Sequence, residues 1–192
     1  MREIRATLPT VAGLKPYQAG MLAGAYLKTG NWTEVKTYAY ERNVFDASRK
    51  TTSDRYSSHL IKILSSLNIE QLGFVAGSDK AGSLLLWLGF CLAYPVAGGF
   101  ASDVVCEKYR ARSFVLKSAD LWEYLADICV DYPNLSNISE ASRSKAKSVI
   151  FTNLRDAGLL NGFDEIQHAS LSAPVKEVIG NGNLKYFPGE VL

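Results

Sequence analysis

Residues that carry most enzyme chemistry are scarce in this chain. Its 192 residues include two histidines, His59 and His168, and three cysteines. Neither histidine has a cysteine, serine or carboxylate partner at a catalytic spacing, and we find no P-loop, G-x-G-x-x-G, G-x-S-x-G or H-E-x-x-H motif. We therefore expect no catalytic residue and no cofactor, and structural or surface roles for both histidines.

The cysteines also argue against a metal centre. Cys91, Cys106 and Cys129 are an odd number, lie far apart and have no histidine neighbours. This pattern predicts neither a disulfide framework nor a zinc site, but reduced, buried thiols. The N-terminus lacks an apolar segment long enough for a secretory signal. We therefore expect a cytoplasmic protein.

An excess of one charge is absent as well. Lys plus Arg number 21 and Asp plus Glu number 19, which gives a net charge of +2. A polyanionic partner is not predicted by this balance, so any case for nucleic acid depends on where the cations lie.

One uncharged run, residues 81–101, is long enough to span a bilayer. Pro95 and several glycines interrupt it. A helix that begins near Ser83 would end at Pro95 after about eleven residues, which is too short to cross a bilayer. We therefore favour a buried core helix and expect no membrane association.

Amphipathic periodicity predicts a mainly α-helical protein. The threonine and serine cluster at 51–53 is expected to cap the third helix. The predicted helices span 17–29, 31–43, 53–67, 69–76, 83–94, 99–109, 118–130, 142–157 and 174–179.

The helix predicted at 142–157 combines an apolar stripe with a cationic face. The stripe consists of Ala146, Val149, Ile150, Leu154 and Ala157. Cations and hydroxyls occupy the opposite side and the helix start: Arg143, Ser144, Lys145, Lys147, Ser148, Thr152 and Arg155. Lysine and arginine neutralise phosphates, and short hydroxyl side chains allow the backbone to approach closely. Spacing alone leaves nucleic-acid binding and an ordinary solvated helix equally open.

A small β-hairpin is predicted after this helix. Gly158 suits a helix C-cap, Asn161 and Gly162 suit a turn, and the segments 163–167 and 169–171 would supply the strands, with His168 near an adjacent phosphate. A cationic helix followed directly by a strand pair is the order of elements in a winged helix.

A second cationic face is predicted on the helix at 53–67, whose apolar stripe runs from Tyr56 to Leu67. The face is formed by Arg55, Ser58 and Lys62, with Arg49 and Lys50 just before the helix.

The ordered set of these segments resembles the BrxA proteins of BREX bacteriophage-exclusion systems. The likeness extends from about Tyr17 to the tail at 186–188. Its strongest parts are GNWTEV at 30–35, ERNVF at 41–45, TTS at 51–53, LLLWL at 84–88 and SEASRSKAKSVIFTNLRDAGLL at 139–160.

The resemblance implies a non-enzymatic component of a bacterial anti-phage system that binds double-stranded DNA. It would act beside the methyltransferase, ATPase and phosphatase-like proteins of that system. Compared with the family, the helix at 53–67 is less basic, with Ile63 in place of a cation and Asp54 near its start. We therefore rank the C-terminal helix first as the DNA contact.

Pattern and resemblance together predict a helical bundle with an N-terminal helix-turn-helix-like unit and a C-terminal winged-helix-like unit. The expected regions are a flexible tail at 1–16, the helix-turn-helix-like unit at 17–80, a central helical core at 81–133, and the winged-helix-like unit with its tail at 134–192. Two alternatives remain: a protein-interaction scaffold that uses Tyr40, Phe45 or Tyr109, and an RNA-binding, antitermination-like factor.

Overall fold

The computed structural model describes residues 7–11, 13–77 and 79–190, and the described part is mainly helical, as predicted. A π-helical turn, Ala101–Cys106, joins α6 to α7, and two short 3-10 helices span Pro133–Leu135 and Asn181–Tyr186. The α-helices are α1 (Pro16–Thr29), α2 (Trp32–Glu41), α3 (Lys50–Leu64), α4 (Ile69–Ala76), α5 (Lys80–Ala93), α6 (Pro95–Phe100), α7 (Glu107–Arg110), α8 (Ser118–Asp127), α9 (Glu140–Asp156) and α10 (Ala173–Ile179).

Side-chain caps define several helix starts. Asn31 accepts a hydrogen bond from the N–H of Thr33 at the start of α2, and Ser139 accepts one from Ser142 at the start of α9. Both satisfy N–H groups that have no partner within the helix. The prediction that residues 51–53 cap the third helix is wrong. That helix begins at Lys50, and Ser53 is buried inside its first turns.

The core is centred on α5, which contacts α1, α3, α4, α9 and α10. Leu85, Leu86, Trp87 and Leu88 are all fully buried. A helix that is apolar on every side requires such enclosure.

At Tyr94 the chain turns sharply, and α6 begins with Pro95, whose ring suits the first helical position. No single helix in the described residues is long and apolar enough to cross a membrane. Lys80–Ala93 and Pro95–Arg110 pass that test as a pair by length and composition, but they are bent by 115° relative to each other.

The described part of the predicted flexible tail is packed against the rest of the chain. Pro9, Val11 and Leu14 are buried. The N–H of Leu14 donates to Oδ2 of Asp156 at 2.8 Å, and the carbonyl oxygen of Thr10 accepts from Arg55 at 3.2 Å. This segment therefore contacts both α3 and α9, in contrast to the expectation of flexibility. Residues 1–6 and 12 of the tail lie outside the described residues.

Three short extended segments meet beside α9. Val115 forms an antiparallel bridge with Glu165, and Leu160 forms one with Ile166. The predicted pairing of 163–167 with 169–171 is not found, because Ile166 pairs with Leu160 while Ala169 donates to the carbonyl of Pro188 at 3.0 Å. The described residues thus contain isolated bridges rather than extended strands.

Candidate nucleic-acid interface

The cationic face of α9 is open to solvent. Ala146, Val149, Ile150 and Leu154 are fully buried and Ala157 nearly so, which confirms the predicted apolar stripe. Burial of this stripe directs the opposite side of the helix outward. That side contains the exposed residues Arg143, Ser144, Lys145, Ser148 and Arg155 and the half-buried residues Lys147 and Thr152.

The α9 cations differ in how far the protein itself engages them. Within the described part of the chain, the side chains of Arg143 and Lys145 have no hydrogen-bond or ion-pair partner. The ammonium of Lys147 lies 4.8 Å from the centroid of the Phe151 ring. Arg155 forms an ion pair with Asp164. Arg143 and Lys145 are therefore the α9 cations most available to a phosphate.

The turn that follows α9 is held by its own side chains. Oδ1 of Asn161 accepts hydrogen bonds from the N–H groups of Phe163 at 2.9 Å and Glu165 at 3.0 Å. Asp164 adopts a left-handed conformation with φ 59°, which asparagine and aspartate tolerate better than most residues. We call residues 161–165 the post-α9 turn. Phe163 in this turn is exposed, and the sequence analysis did not select it although it follows the Asn-Gly turn signal.

His168 lies outside this turn. Its Nδ1 accepts from the N–H of Ser170 at 2.9 Å, and its ring packs edge-on against Tyr109 with 6.0 Å between centroids. The imidazole is exposed. It follows the bridged residue Ile166 by two positions.

The second predicted face, on α3, is also exposed but more engaged by the protein. Lys62 lies 3.8 Å from the centroid of the Tyr94 ring, and partial burial lowers the pKa of its ammonium group. Lys50 lies over the Tyr40 ring at 5.2 Å. Cation–π contacts of this kind hold a cation near the protein surface without cancelling its charge.

The other members of this face are Arg49, Arg55 and Ser58, all exposed. Arg55 donates to the N-terminal segment that also contacts α9. The structure therefore brings α3 and α9 to either side of one short stretch of chain.

His59 is buried within the helical core, as its expected structural role requires. Its Nδ1 lies 3.0 Å from the hydroxyl of Tyr94. Burial, with smaller contributions from the charges of Lys62 and Arg55, lowers the pKa of His59 to about 4. The ring is therefore neutral at physiological pH.

The cysteine thiols are free, and those of Cys91 and Cys106 are buried. Burial raises the pKa of both. The described residues contain no group of three or more His, Cys, Asp or Glu side chains suited to hold a metal ion.

Comparison with known proteins gives one family and one fold. Residues 13–182 match the family model of BrxA. No curated protein matches the chain. A solved structure described as an uncharacterized protein from Magnetospirillum magneticum is similar, with a TM-score of 0.76, 16% identity and 91% of each chain covered. At this identity the similarity shows a shared fold.

Proposed function

The chain belongs to the BrxA family, and from this membership and the open face of α9 we propose that it is a non-enzymatic double-stranded DNA-binding component of a BREX anti-phage system. Family membership supports the association with BREX. The proposal places the protein in the cytoplasm, beside the methyltransferase, ATPase and phosphatase-like proteins of the system.

The observation that carries the DNA-binding part is the state of α9. Arg143 and Lys145 are exposed and unpaired among the described residues, and Ser148 is exposed on the same side. Lysine and arginine that bind phosphates release condensed counterions, while serine and threonine hydroxyls add hydrogen bonds to the backbone. The face therefore has the charge and the hydrogen-bonding groups that a duplex requires.

The order of elements around α9 supports a winged-helix interpretation. The segment 114–116 precedes α8 and α9, and the segments 159–160 and 165–167 follow α9 and are bridged to each other. The bridge between Val115 and Glu165 joins the first segment to the last. In DNA-binding helix pairs of this type the second helix enters the major groove. This helix corresponds to α9.

We assign α3 a secondary contact within a helix-turn-helix-like unit. Its cations Arg49, Lys50, Arg55 and Lys62 and the hydroxyl of Ser58 are exposed, but aromatic rings or a backbone carbonyl engage three of the cations. Their charges add to the attraction of a duplex. In the same proposal, His168 and Lys147 contribute at the margins of the α9 face.

Duplex affinity measured against salt concentration tests the proposal. We expect the logarithm of the association constant to fall linearly with the logarithm of salt, with about 0.9 in the slope for each phosphate contact. The double substitution Arg143→Glu with Lys145→Glu should weaken binding and flatten the slope. The control is the double substitution Lys28→Glu with Lys36→Glu, at exposed positions on α1 and α2. It changes the net charge by the same amount as the α9 variant.

Two results would contradict DNA binding through α9. One is the absence of duplex binding at about 50 mM salt, where electrostatic contacts are strong. The other is an equal loss of affinity in the α9 and control variants, which would indicate a general effect of net charge. Competition by structured RNA that exceeds competition by duplex DNA would favour the antitermination-like alternative.

The scaffold alternative has a narrower structural basis. Tyr40 is 50% exposed. Phe45, by contrast, stacks on Tyr56, and Tyr109 packs against Phe114 and His168. A scaffold would keep its protein partners and its protective effect after charge reversal of Arg143 and Lys145, whereas a DNA-binding component would lose protection.

A further inference from the structure

Phe163 is 85% exposed in the post-α9 turn. Water contact over most of a phenyl ring forgoes the favourable free energy of apolar burial. The turn does not need an aromatic side chain for its own geometry, because the side chain of Asn161 and the backbone form its hydrogen bonds. The ring is therefore free to contact another molecule.

The position of this ring relative to α9 is constrained. Asp164, the next residue, forms an ion pair with Arg155 on α9. The N–H of Asp164 also donates to the carbonyl oxygen of Asn161 at 3.2 Å. These contacts hold the turn beside Arg155, at the C-terminal end of the cationic face.

We propose that Phe163 packs against the deoxyribose wall of the minor groove next to the α9 contact, an inference that rests on the proposed function. The phenyl ring has no hydrogen-bonding group, so it contributes affinity without reading bases. Apolar side chains are a recurrent means of contact with the minor groove.

Two carboxylates beside the ring bear on this proposal. Arg155 neutralises that of Asp164. The carboxylate of Glu165 accepts a hydrogen bond from Nδ2 of Asn161 at 2.8 Å, within the same turn. Both carboxylates are therefore engaged by neighbouring side chains of the protein.

The mode of contact follows from comparing two free energies. Insertion of a ring between base pairs requires unstacking of a base step, and burial of one phenyl ring is not larger than that cost. Contact with the sugar wall buries the ring without unstacking. We therefore expect little sequence preference and no local opening of the duplex at this site.

The substitution Phe163→Ala tests the proposal. Duplex affinity should fall by roughly tenfold, as expected for exposure of one aromatic side chain, while the salt slope stays unchanged because no phosphate contact is lost. Phe163→Leu should retain most of the affinity. Ile69→Ala, at a 62% exposed apolar position on α4, is the matched control and should bind as the wild type does.

A second readout uses a duplex that contains 2-aminopurine, whose fluorescence rises when it is unstacked. We expect no rise with the wild-type protein. A rise that Phe163→Ala abolishes would overturn sugar-wall packing in favour of intercalation.

The outcomes separate this inference from the proposed function. Absence of wild-type duplex binding would overturn both. Wild-type binding that Phe163→Ala leaves unchanged would overturn the inference alone, and the α9 proposal would stand. Unchanged duplex affinity together with lost capture of a BREX partner protein would assign Phe163 to a protein contact and likewise overturn the inference.

Discussion

The carboxylate of Asp164 forms an ion pair with the guanidinium of Arg155, and this pair joins the post-α9 turn to α9. Both side chains are more than one third exposed. The contact has two consequences. It fixes the turn beside the helix, and it provides a competitor for any phosphate that approaches Arg155.

Removal of this competitor should strengthen duplex binding. In Asp164→Asn the guanidinium of Arg155 is released, while the bridges of Val115 with Glu165 and of Leu160 with Ile166 still hold the turn in place. We therefore expect higher affinity and a salt slope steeper by up to about 0.9. Asparagine tolerates the left-handed backbone at this position. The exposed ion pair contributes less than about 1 kcal/mol, so the free energy of unfolding should change little. Anisotropy titrations across a salt series measure both affinity quantities.

Asp127→Asn on α8 is the control, because it removes the same charge at an exposed position that makes no contact with α9 cations in the described structure. An equal gain in duplex affinity in both variants would mean that the change of net charge alone explains the effect. No gain in Asp164→Asn would place Arg155 outside the interface.

The hydrogen bond between the N–H of Gly13 and Oδ1 of Asn153, 3.0 Å long, should stabilise the fold. Asn153 is fully buried on α9. Asn153→Ala leaves the N–H of Gly13 without its acceptor, and we expect the free energy of unfolding to fall by about 1 to 3 kcal/mol. Urea denaturation measures the change.

Ser148→Ala, on the exposed side of the same helix, is the control and should change stability by less than about 0.5 kcal/mol. Nδ2 of Asn153 is buried without a partner among the described residues. A more stable Asn153→Ala variant would therefore mean that the cost of this unsatisfied donor exceeds the value of the bond to Gly13.

His59 should make stability depend on pH in the acidic range. Its pKa is about 4 in the folded protein, against an ordinary value of 6.5, because burial disfavours the charged ring. Below the ordinary value the unfolded chain binds a proton that the folded protein does not. Stability is thus fully present above pH 6.5 and falls as the pH decreases toward 4, by on the order of 3 kcal/mol.

Urea denaturation between about pH 7 and pH 4 measures this dependence. His59→Gln should flatten the part of the curve due to this group, because glutamine does not titrate. His168→Gln, the same substitution at an exposed histidine, is the control. Identical pH profiles for His59→Gln and the wild type would contradict the assignment.

Local periodicity predicted the helices and the buried stripe of α9, because the side chains that define a helix face are close together in sequence. Contacts between distant residues were not predictable in this way. The bridge between Val115 and Glu165 and the hydrogen bond between Gly13 and Asn153 join residues that no short pattern relates. The same limit explains why the N-terminal segment was expected to be flexible, although Val11 and Leu14 are buried.

The same difference between local patterns and contacts of distant residues applies to the candidate site. The outward direction of Lys145 and Ser148 is a property of one helix and was predicted correctly. The pairing of Arg155 with Asp164 depends on the conformation of the turn that follows, and the periodicity of α9 contains no signal for it.

Two glycine substitutions should have opposite effects on stability. A Cβ added at Gly89 on α5 would lie 2.8 Å from the carbonyl oxygen of Ile63 on α3, which is closer than two such atoms can approach. Gly89→Ala therefore forces the helices apart, and we expect a loss of about 1 to 3 kcal/mol in the free energy of unfolding. At Gly24 on α1 the added Cβ meets no atom within 4 Å. Gly24→Ala should stabilise the protein by about 0.5 to 1 kcal/mol, because alanine loses less conformational entropy in a helix.

Thermal and urea denaturation of both variants measure these changes. Because the two substitutions add the same methyl group within a helix, their difference isolates the packing of α3 against α5 from intrinsic helix propensity. A Gly89→Ala variant as stable as Gly24→Ala would contradict the close approach of these helices. The position of α3, and with it the secondary cationic face, would then need revision.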